Sequence, residues 1–452
     1  MPILGLLGSE HFANERFTNI RREVFYTYPN GAAPLTGILS LLKQEKVNDP
    51  EFKWYEKRFR TFQTKTTQNN QAPPNGPFLD AAGAVALPDG TTLLTNTLYR
   101  VEVIPGGTDQ FRVGNVIDIQ NVPNQAGTAF YDIKGIITLI DAANNQIQFR
   151  PLEQYDAISN DIDANDKDVL DIGSAHQEAA VGSSLAPYNL PVQFFNATQI
   201  FRTSFSISGT ALKTSAKFDE TGPYKDKAKE ASLTHLVEIE RTQLFGVYSK
   251  TVDPNTSLVT YTTRGILGYL RDWEKGTVYG NSPTPITLDS DDQKRIIENA
   301  GGQLSEKSYD GYLERVFRFV NNVANEKLVL CGTGFLNVVN QLYKSKSVLN
   351  SDLPMADTYG MNVVKHVTPF GTLYYKTHPL FSADSKLRYS ALILDVNNMV
   401  YTYLDGRDTN LLRNRQPNDA DYRKDEWLTD CGLELRFPES HMFIKNVMDY
   451  AP

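Results

Sequence analysis

Histidine and cysteine, the side chains that most often bind metals or act as nucleophiles, are few and scattered in this chain. The six histidines are His11, His176, His235, His366, His378 and His441, and none has a second histidine four residues away, as a zinc-binding helix requires. The two cysteines, Cys331 and Cys431, lie in apolar segments, and two cysteines form neither a disulfide framework nor a four-cysteine zinc site. We expect two reduced, buried thiols, no metal site and no cofactor.

One glycine-rich segment has the place of a phosphate-binding loop. Cys331-Gly332-Thr333-Gly334 joins a predicted strand to a predicted helix, as a dinucleotide-binding loop does. Asn337 stands where the third glycine is required, and no acidic residue follows a next strand at the required distance. A tight turn between strand and helix is therefore the better interpretation.

An acidic segment has part of the spacing of a calcium-binding loop. Asp161, Asp163 and Asn165 match the first three ligand positions. Asp166 stands where the loop needs glycine, and Ile172 stands where it needs the final glutamate. We predict a solvated acidic loop.

Glu240 is the carboxylate whose position is hardest to explain, because it falls within the apolar stripe of a predicted helix at 224–248. It either pairs with a basic side chain or another subunit, or it is a catalytic carboxylate of raised pKa. No catalytic partner is visible, and neither a Gly-x-Ser-x-Gly nor a Walker motif occurs. We predict that the chain is not an enzyme, although the carboxylates of glycosidases leave no short signature.

The composition describes an ordinary folded protein of several domains. The chain has 452 residues, 45 Lys or Arg, 53 Asp or Glu and a net charge of −8, with 11% aromatic residues. This excludes a disordered chain and disfavours sequence-specific nucleic-acid binding, which needs a positive surface. No apolar run reaches the length of a membrane span, and the first residues lack the basic region of a signal peptide, so we expect a protein that stays in the cytoplasm.

Four predicted regions must position these residues. The clearest is the long helix at 224–248, where one face carries Leu233, Leu236, Val237, Leu244, Val247 and Tyr248. Short alternating strands at about 97–155 predict a small antiparallel barrel or sandwich, inserted as a module. Residues 289–345 are predicted to form a helix, a second helix, a strand and a third helix, and Asp289 is predicted to cap the first of these helices. Strands are predicted to follow at 362–367, 371–377, 389–395, 399–404, 431–437 and 442–447. Leu35, Ile38, Leu39 and Leu42 predict a short amphipathic helix in an N-terminal arm.

The order of several short motifs resembles the major capsid proteins of tailed bacteriophages with the Hong Kong 97-type fold. The segments that carry the resemblance are Ile172-Gly173-Ser174-Ala175-His176-Gln177-Glu178, Asn196-Ala197-Thr198-Gln199-Ile200-Phe201-Arg202, Phe205-Ser206-Ile207-Ser208-Gly209-Thr210, Glu238-Ile239-Glu240-Arg241, Arg264-Gly265-Ile266-Leu267-Gly268, Gly406-Arg407-Asp408-Thr409, Asp419-Ala420-Asp421-Tyr422-Arg423-Lys424-Asp425, Gly432-Leu433-Glu434-Leu435-Arg436 and Pro438-Glu439-Ser440-His441. Each motif is weak alone, and their order over about two thirds of the chain gives the similarity its weight.

The resemblance implies an α+β capsid fold and an assignment of its parts. These are an N-terminal arm (1–50), an extended loop (51–195) with the β insertion at about 97–155, a peripheral domain (196–289) with a spine helix at 224–248, a mixed α/β axial domain (290–404) and a C-terminal return to the peripheral domain (405–452). The function implied is a structural subunit that self-assembles into an icosahedral shell around double-stranded DNA, in the virion after assembly in the host cytoplasm.

The expected partners are copies of the same chain, in pentamers and hexamers, with a portal protein and scaffolding or decoration proteins as further candidates. On the loop strand the aromatic residues Phe52, Trp54, Tyr55 and Phe59 are candidate contacts to a neighbour, and packing within their own subunit is the alternative. Candidates for ion pairs between subunits are Arg58, Arg60, Glu238 and Glu240. The competing function is a carbohydrate-binding or carbohydrate-active protein, suggested by the aromatic content and the β module.

Overall fold

The structure is a computed structural model that describes residues 35, 43–57, 62–68, 76–176, 178, 191–213, 223–277, 294–299, 301–318, 325–344, 355–358 and 361–450. The chain divides into two compact units. Lys57–Val192 is the inserted unit, and Met1–Glu56 with Gln193–Pro452 is the main unit. The inserted unit has bounds close to those of the predicted extended loop, and the predicted arm belongs to the main unit. That the loop lies over a neighbouring subunit stays a prediction.

The described part contains the following helices and strands. The helices are α1 (Gly209–Lys213), α2 (Pro223–Phe245), α3 (Ile266–Glu274), α4 (Glu306–Arg318), α5 (Thr333–Lys344) and α6 (Pro379–Ala383). The strands are β1 (Gln44–Val47), β2 (Glu51–Glu56), β3 (Gln63–Lys65), β4 (Phe78–Leu79), β5 (Thr91–Leu93), β6 (Tyr99–Glu102), β7 (Asn115–Pro123), β8 (Phe130–Asp141), β9 (Gln146–Pro151), β10 (Tyr155–Ile158), β11 (Asp168–Ser174), β12 (Val192–Ala197), β13 (Gln199–Ser208), β14 (Ser249–Val252), β15 (Val259–Thr262), β16 (Ile296–Glu298), β17 (Gln303–Leu304), β18 (Glu326–Cys331), β19 (Met355–Thr358), β20 (Met361–Val367), β21 (Thr372–Thr377), β22 (Ala391–Leu394), β23 (Met399–Leu404), β24 (Asn410–Leu412), β25 (Tyr422–Leu435), β26 (Met442–Lys445) and β27 (Asp449–Tyr450).

The inserted unit is built on one antiparallel sheet with strand order β3-β11-β7-β8-β9-β6-β4. The strands predicted within 97–155 are present, but the module is larger than predicted. β3, β4 and β11 complete the sheet from both sides of that segment. Their alternation is too short to detect in the sequence, and only pairing with distant strands stabilises them.

A hydrophobic core of its own stabilises the inserted unit. Val101, Ile117, Ile133, Ile147 and Phe149 are fully buried in it. Each large apolar side chain removed from water contributes roughly 1.5–3 kcal/mol, so this cluster supports independent packing. Most of the segment assigned to the extended loop is therefore a packed unit, which is larger than the β insertion expected at about 97–155. Residues 69–75 lie outside the described residues.

The main unit contains two larger sheets. In the first, β1, β23, β25 and β13 lie in that order, and β24 also pairs with β25. In the second, the order is β16-β26-β22-β18-β21-β20-β19, with both parallel and antiparallel pairs. Helices α4 and α5 bury Leu313 and Phe335 in the same core as Val329 and Leu373. The α+β class is confirmed. The order predicted from the second helix onward, which is helix, strand, helix and then strands, is confirmed by α4, β18, α5 and the strands after them.

Two predicted elements need correction or lie outside the described residues. The helix expected to begin at Asp289 starts in an undescribed segment, and Ile296–Glu298, where it would continue, is strand β16, paired in parallel with β26. Of the predicted arm helix only Leu35 is described, and it is helical and buried.

The long helix α2 lies close to its predicted bounds, but the prediction of its buried face is wrong for most residues. Of the predicted face Leu244 is buried, whereas Leu233, Leu236 and Val237 are only half-buried. The helix also buries Ala231, His235, Ile239 and Gln243. The helix packs on β13 and β25, and these strands present polar partners. The ring of His235 contacts the Thr203 hydroxyl at 2.9 Å through Nδ1 and the Thr429 hydroxyl at 2.8 Å through Nε2.

The two cysteines are free and buried, as predicted. Burial raises the pKa of the Cys331 thiol and of the Cys431 thiol to about 12. Both are therefore protonated and unreactive at neutral pH.

In the ranges that the structure describes, no helix is both long and apolar enough to cross a lipid bilayer.

Candidate functional site

The predicted loop strand forms a two-stranded ribbon of β2 and β12. Because successive side chains point to opposite faces of a strand, its aromatic residues separate into two groups. Phe52, Trp54 and Glu56 are buried, and Lys53 and Tyr55 are exposed. The alternation therefore decides which candidates can reach a second copy.

Trp54 is the centre of a buried aromatic cluster. Its ring lies 6.1 Å from that of Phe52, 6.0 Å from that of Phe194 and 6.1 Å from that of Tyr269. Its indole nitrogen donates to Glu56 Oε1 at 3.0 Å. Such ring pairs contribute about 0.5–1.5 kcal/mol each beyond their burial. Phe52 and Trp54 thus pack within their own chain, which is the alternative that the sequence left open.

Tyr55 is the candidate on this strand that remains available for contact. Its side chain is 63% exposed, and its hydroxyl accepts a hydrogen bond from Gln193 Nε2 at 2.9 Å. That bond fixes the ring on the outer face of the ribbon. Arg58, Phe59 and Arg60 lie outside the described residues.

Glu238 and Glu240 on helix α2 have opposite environments. Glu238 is exposed, and its carboxylate accepts a hydrogen bond from the Thr203 hydroxyl at 3.1 Å. It remains available to a neighbour. Glu240 is fully buried and its Oε1 lies 2.7 Å from His378 Nε2.

The pair of Glu240 and His378 joins three parts of the main unit. His378 Nδ1 accepts from the Leu380 backbone N–H at 3.2 Å and caps helix α6, so the ring proton on Nε2 is donated to Glu240. The Leu35 backbone N–H also donates to Glu240 Oε1, at 2.8 Å. The predicted pairing of Glu240 with a basic side chain is confirmed, and its partner belongs to the same chain. An ion pair of Glu240 with another subunit stays a prediction, which the burial of Glu240 within its own chain disfavours.

Three segments of the resemblance meet at Asn196. Its amide nitrogen donates to the backbone carbonyl of Arg264 at 3.0 Å and to that of Leu433 at 2.7 Å, and its amide oxygen accepts from the Arg264 backbone N–H at 2.8 Å. Gly268, in the same motif as Arg264, packs so tightly that a Cβ would lie 2.3 Å from the carbonyl oxygen of Gly246. These motif residues therefore hold elements of the main unit together.

Arg264 adds a buried cation to the same junction. Its guanidinium lies over the rings of Phe195 at 4.9 Å and Tyr248 at 5.5 Å, and its Nε is 3.2 Å from Asp272 Oδ2. Burial lowers the pKa of Arg264, and the carboxylate of Asp272 opposes that change. The aromatic faces and the carboxylate together compensate for the lost hydration of the charge.

Sequence reasoning missed a surface groove at the C-terminal end of helix α2. The groove has a volume of about 570 Å³, and Arg241, Phe245, Leu380, Asp384 and Leu387 are among the residues that line it. These residues come from two segments far apart in the chain. No periodic signal connects such segments, so only the folded chain reveals the groove.

The described residues contain no group of three or more His, Cys, Asp or Glu side chains placed to hold a metal ion. The acidic segment at 161–166 contains a short 3₁₀ turn, Ile162–Ala164, capped by the carboxylate of Asp161.

Comparison with known proteins relates the chain to capsid subunits. A family described as the SU10 major capsid protein matches residues 9–448. A curated relative, the major capsid protein of Pseudomonas phage PaMx41, is 24% identical over 275 residues, which cover 58% of this chain and 58% of the relative. The match thus spans less than two thirds of that relative's length.

Similar solved structures include the capsid asymmetric unit of cyanophage A-1(L), with 13% identity, a TM-score of 0.43 and coverage of 62% of this chain and 85% of that one. Another is the holo-SrpI encapsulin complex from Synechococcus elongatus PCC 7942, with 10% identity, a TM-score of 0.37 and coverage of 60% and 80%. Both TM-scores are below 0.5, so the assignment depends on the family match.

Proposed function

Because this chain belongs to the SU10 major capsid protein family, we propose that it is the subunit of a closed icosahedral shell around double-stranded DNA. The family match over residues 9–448 is the observation that carries this proposal. In that role the chain is a structural component of the virion, assembled in the host cytoplasm. The Hong Kong 97-type arrangement of arm, loop, peripheral and axial domains belongs to the same proposal.

Copies of the chain are the main partners in this proposal. Identical subunits that contact one another through two different surfaces form rings, and rings of five and six subunits close a shell. Each contact can be weak, because many act together. Among the contact candidates that the structure describes, Tyr55 and Glu238 are exposed, so they are the residues we assign to contacts between copies. A portal protein, and scaffolding or decoration proteins, complete the proposed set.

The charge distribution supports enclosure of DNA over specific binding to it. The inserted unit, residues 57–192, contains nine Lys or Arg and fifteen Asp or Glu residues, a net charge of −6, against −8 for the whole chain. The rest of the chain is therefore close to neutral. Since DNA carries a dense negative charge, an anionic module next to it would be repelled. We assign the inserted unit to the face of the shell that is turned away from the DNA.

Sedimentation velocity followed by negative-stain microscopy tests the proposal. The chain is produced alone and together with the products of its neighbouring genes, and each sample is analysed at several protein concentrations. Closed shells, tubes, or rings of five or six subunits are the expected result. A monomer of 50.7 kDa under all these conditions would contradict the proposed function.

The carbohydrate alternative was suggested by the aromatic content and the β module. Phe52 and Trp54 are buried, whereas Tyr55 and Phe130 are each 63% exposed. The family match supports a capsid subunit over a sugar-binding protein.

A further inference from the structure

The groove at the end of helix α2 is an open, largely apolar surface with one cation and one carboxylate in its lining. The carboxylate, Asp384, is hydrogen-bonded within its own chain, because it accepts from the Lys386 backbone N–H at 2.7 Å. Phe245, Leu380 and Leu387 supply apolar surface, and Phe245 packs against Phe381 with the ring centres 6.2 Å apart. Arg241, also in the lining, is exposed. Arg241 has no ion pair with any residue in the described ranges. The groove has a volume of about 570 Å³, which falls in the range of roughly 300–1,000 Å³ typical of cavities that hold a ligand.

The hairpin of β14 and β15 presents a complementary protrusion. Val252 and Val259 are opposite each other in the pairing of the two strands, and Leu258 lies beside them at the tip. These side chains are 57%, 45% and 68% exposed. We call the three residues the hairpin ridge. A ridge of this kind loses apolar exposure only by contact with another surface.

Hydrogen bonds hold the hairpin tip in one conformation. The Asp253 carboxylate accepts from the Asn255 backbone N–H at 2.9 Å, and the Asp253 carbonyl accepts from the Ser257 N–H at 2.8 Å. Hydrogen bonds from Asn255 and Thr256 lower the pKa of Asp253, so it is ionised at neutral pH. Asp253 is the charged residue within 251–260. The tip is thus pre-organised, apolar and negatively charged.

We propose that the hairpin ridge of one copy docks in the groove of a second copy. The apolar ridge matches the apolar groove wall, and Asp253 matches the charge of Arg241. The ridge of each chain is exposed, so it does not occupy its own groove. The hairpin begins three residues after Gly246, which lines the groove, so each copy presents both surfaces at one end of the main unit. Contacts between two different surfaces form a ring where the rotation between successive copies closes, and an open filament where it does not.

The inference rests on the proposed function, and it names one contact between two copies of the chain in the proposed shell. Cross-linking of paired cysteines tests it on the full-length chain. The native thiols are buried with pKa values of about 12, so a maleimide reacts only with introduced cysteines. Leu258→Cys is combined with Ala383→Cys, an exposed position in the groove, and the assembled protein is treated with a short bismaleimide.

The matched control combines Leu258→Cys with Val367→Cys. Val367 is 66% exposed and pairs with Thr372, at the end of β21 remote from the groove. We expect dimers and higher multimers on a denaturing gel from the first pair and at least ten-fold less from the control. Arg241→Glu should reduce the yield several-fold, and Arg241→Lys should retain it.

Sedimentation of the same samples separates the two hypotheses. If shells or rings form and the groove pair cross-links no better than the control, the docking inference is wrong and the proposed function stands. If Arg241→Glu cross-links as well as Arg241→Lys, the charge match is wrong. If every sample is monomeric, the proposed function fails and the docking inference fails with it.

Discussion

Trp54→Ala and Tyr55→Ala should have opposite consequences, although the two residues are neighbours on β2. Trp54 is buried among Phe52, Phe194 and Tyr269, with ring centres 6.0–6.1 Å away. Its truncation leaves a cavity, and replacing a buried Trp by Ala costs about 3–5 kcal/mol. For a domain this large, about 2 °C of melting temperature per kcal/mol corresponds to a loss of roughly 6–10 °C.

Tyr55→Ala removes an exposed ring and one hydrogen bond to Gln193. Exposed substitutions of this kind change stability by about 0.5 kcal/mol or less, so the melting temperature should shift by about 1 °C. Assembly yield should fall, because Tyr55 is one of the two residues proposed to contact a neighbouring copy.

Circular dichroism at the unassembled stage measures stability, and sedimentation measures assembly. A Trp54→Ala protein that melts within about 1 °C of the unmodified chain would refute the placement of Trp54 in its own core. A Tyr55→Ala protein that assembles at full yield would refute the role of Tyr55.

Three further predictions concern buried polar groups. Glu240→Leu should lower the free energy of unfolding by about 3–5 kcal/mol, because it leaves His378 without its buried partner. Glu240→Gln should lower it by less, and urea titration of both variants measures the difference. Burial lowers the pKa of His441 to about 3, below its value of about 6.5 in the unfolded chain. The contribution of the neutral His441 to stability is therefore fully present above pH 6.5 and is lost as the pH falls toward 3. At pH 5 this group lowers the free energy of unfolding by about 2 kcal/mol relative to neutral pH. A His441→Gln protein whose free energy of unfolding depends on pH as strongly as that of the unmodified chain would contradict this prediction. Cys331 and Cys431 should react with a thiol reagent at pH 8 only after unfolding, since burial raises both pKa values to about 12; rapid labelling of native protein would show that a thiol is accessible.

The sequence predicted the elements whose signal is local. The α2 helix, the order of elements from α4 to β23, the strands of the β module and the two buried thiols all follow from periodicity, turn residues and apolar neighbours. The resemblance predicted the capsid family, because ordered motifs survive where overall identity is low. The family match over residues 9–448 confirms it.

Tertiary structure decided which side chains are buried and what they contact. The apolar stripe of α2 was a reasonable prediction of its buried face, but β13 and β25 present Thr203 and Thr429, and the helix therefore buries His235. The size of the β module was underestimated for a related reason. β3 pairs with β11 across about 100 residues of chain, and β11 in turn pairs with β7 across about 50 residues, so both strands depend on distant partners.

The candidate site shows the same division between local and distant information. Composition and spacing identified Trp54, Tyr55 and Glu240 as residues to explain, and the alternation of β2 could in principle have separated Trp54 from Tyr55. The partner of Glu240 is His378, 138 residues away, and the groove combines the end of α2 with α6. A sequence determines local conformation through neighbouring residues. Contacts between distant residues depend on how whole elements pack, and only the folded chain specifies them.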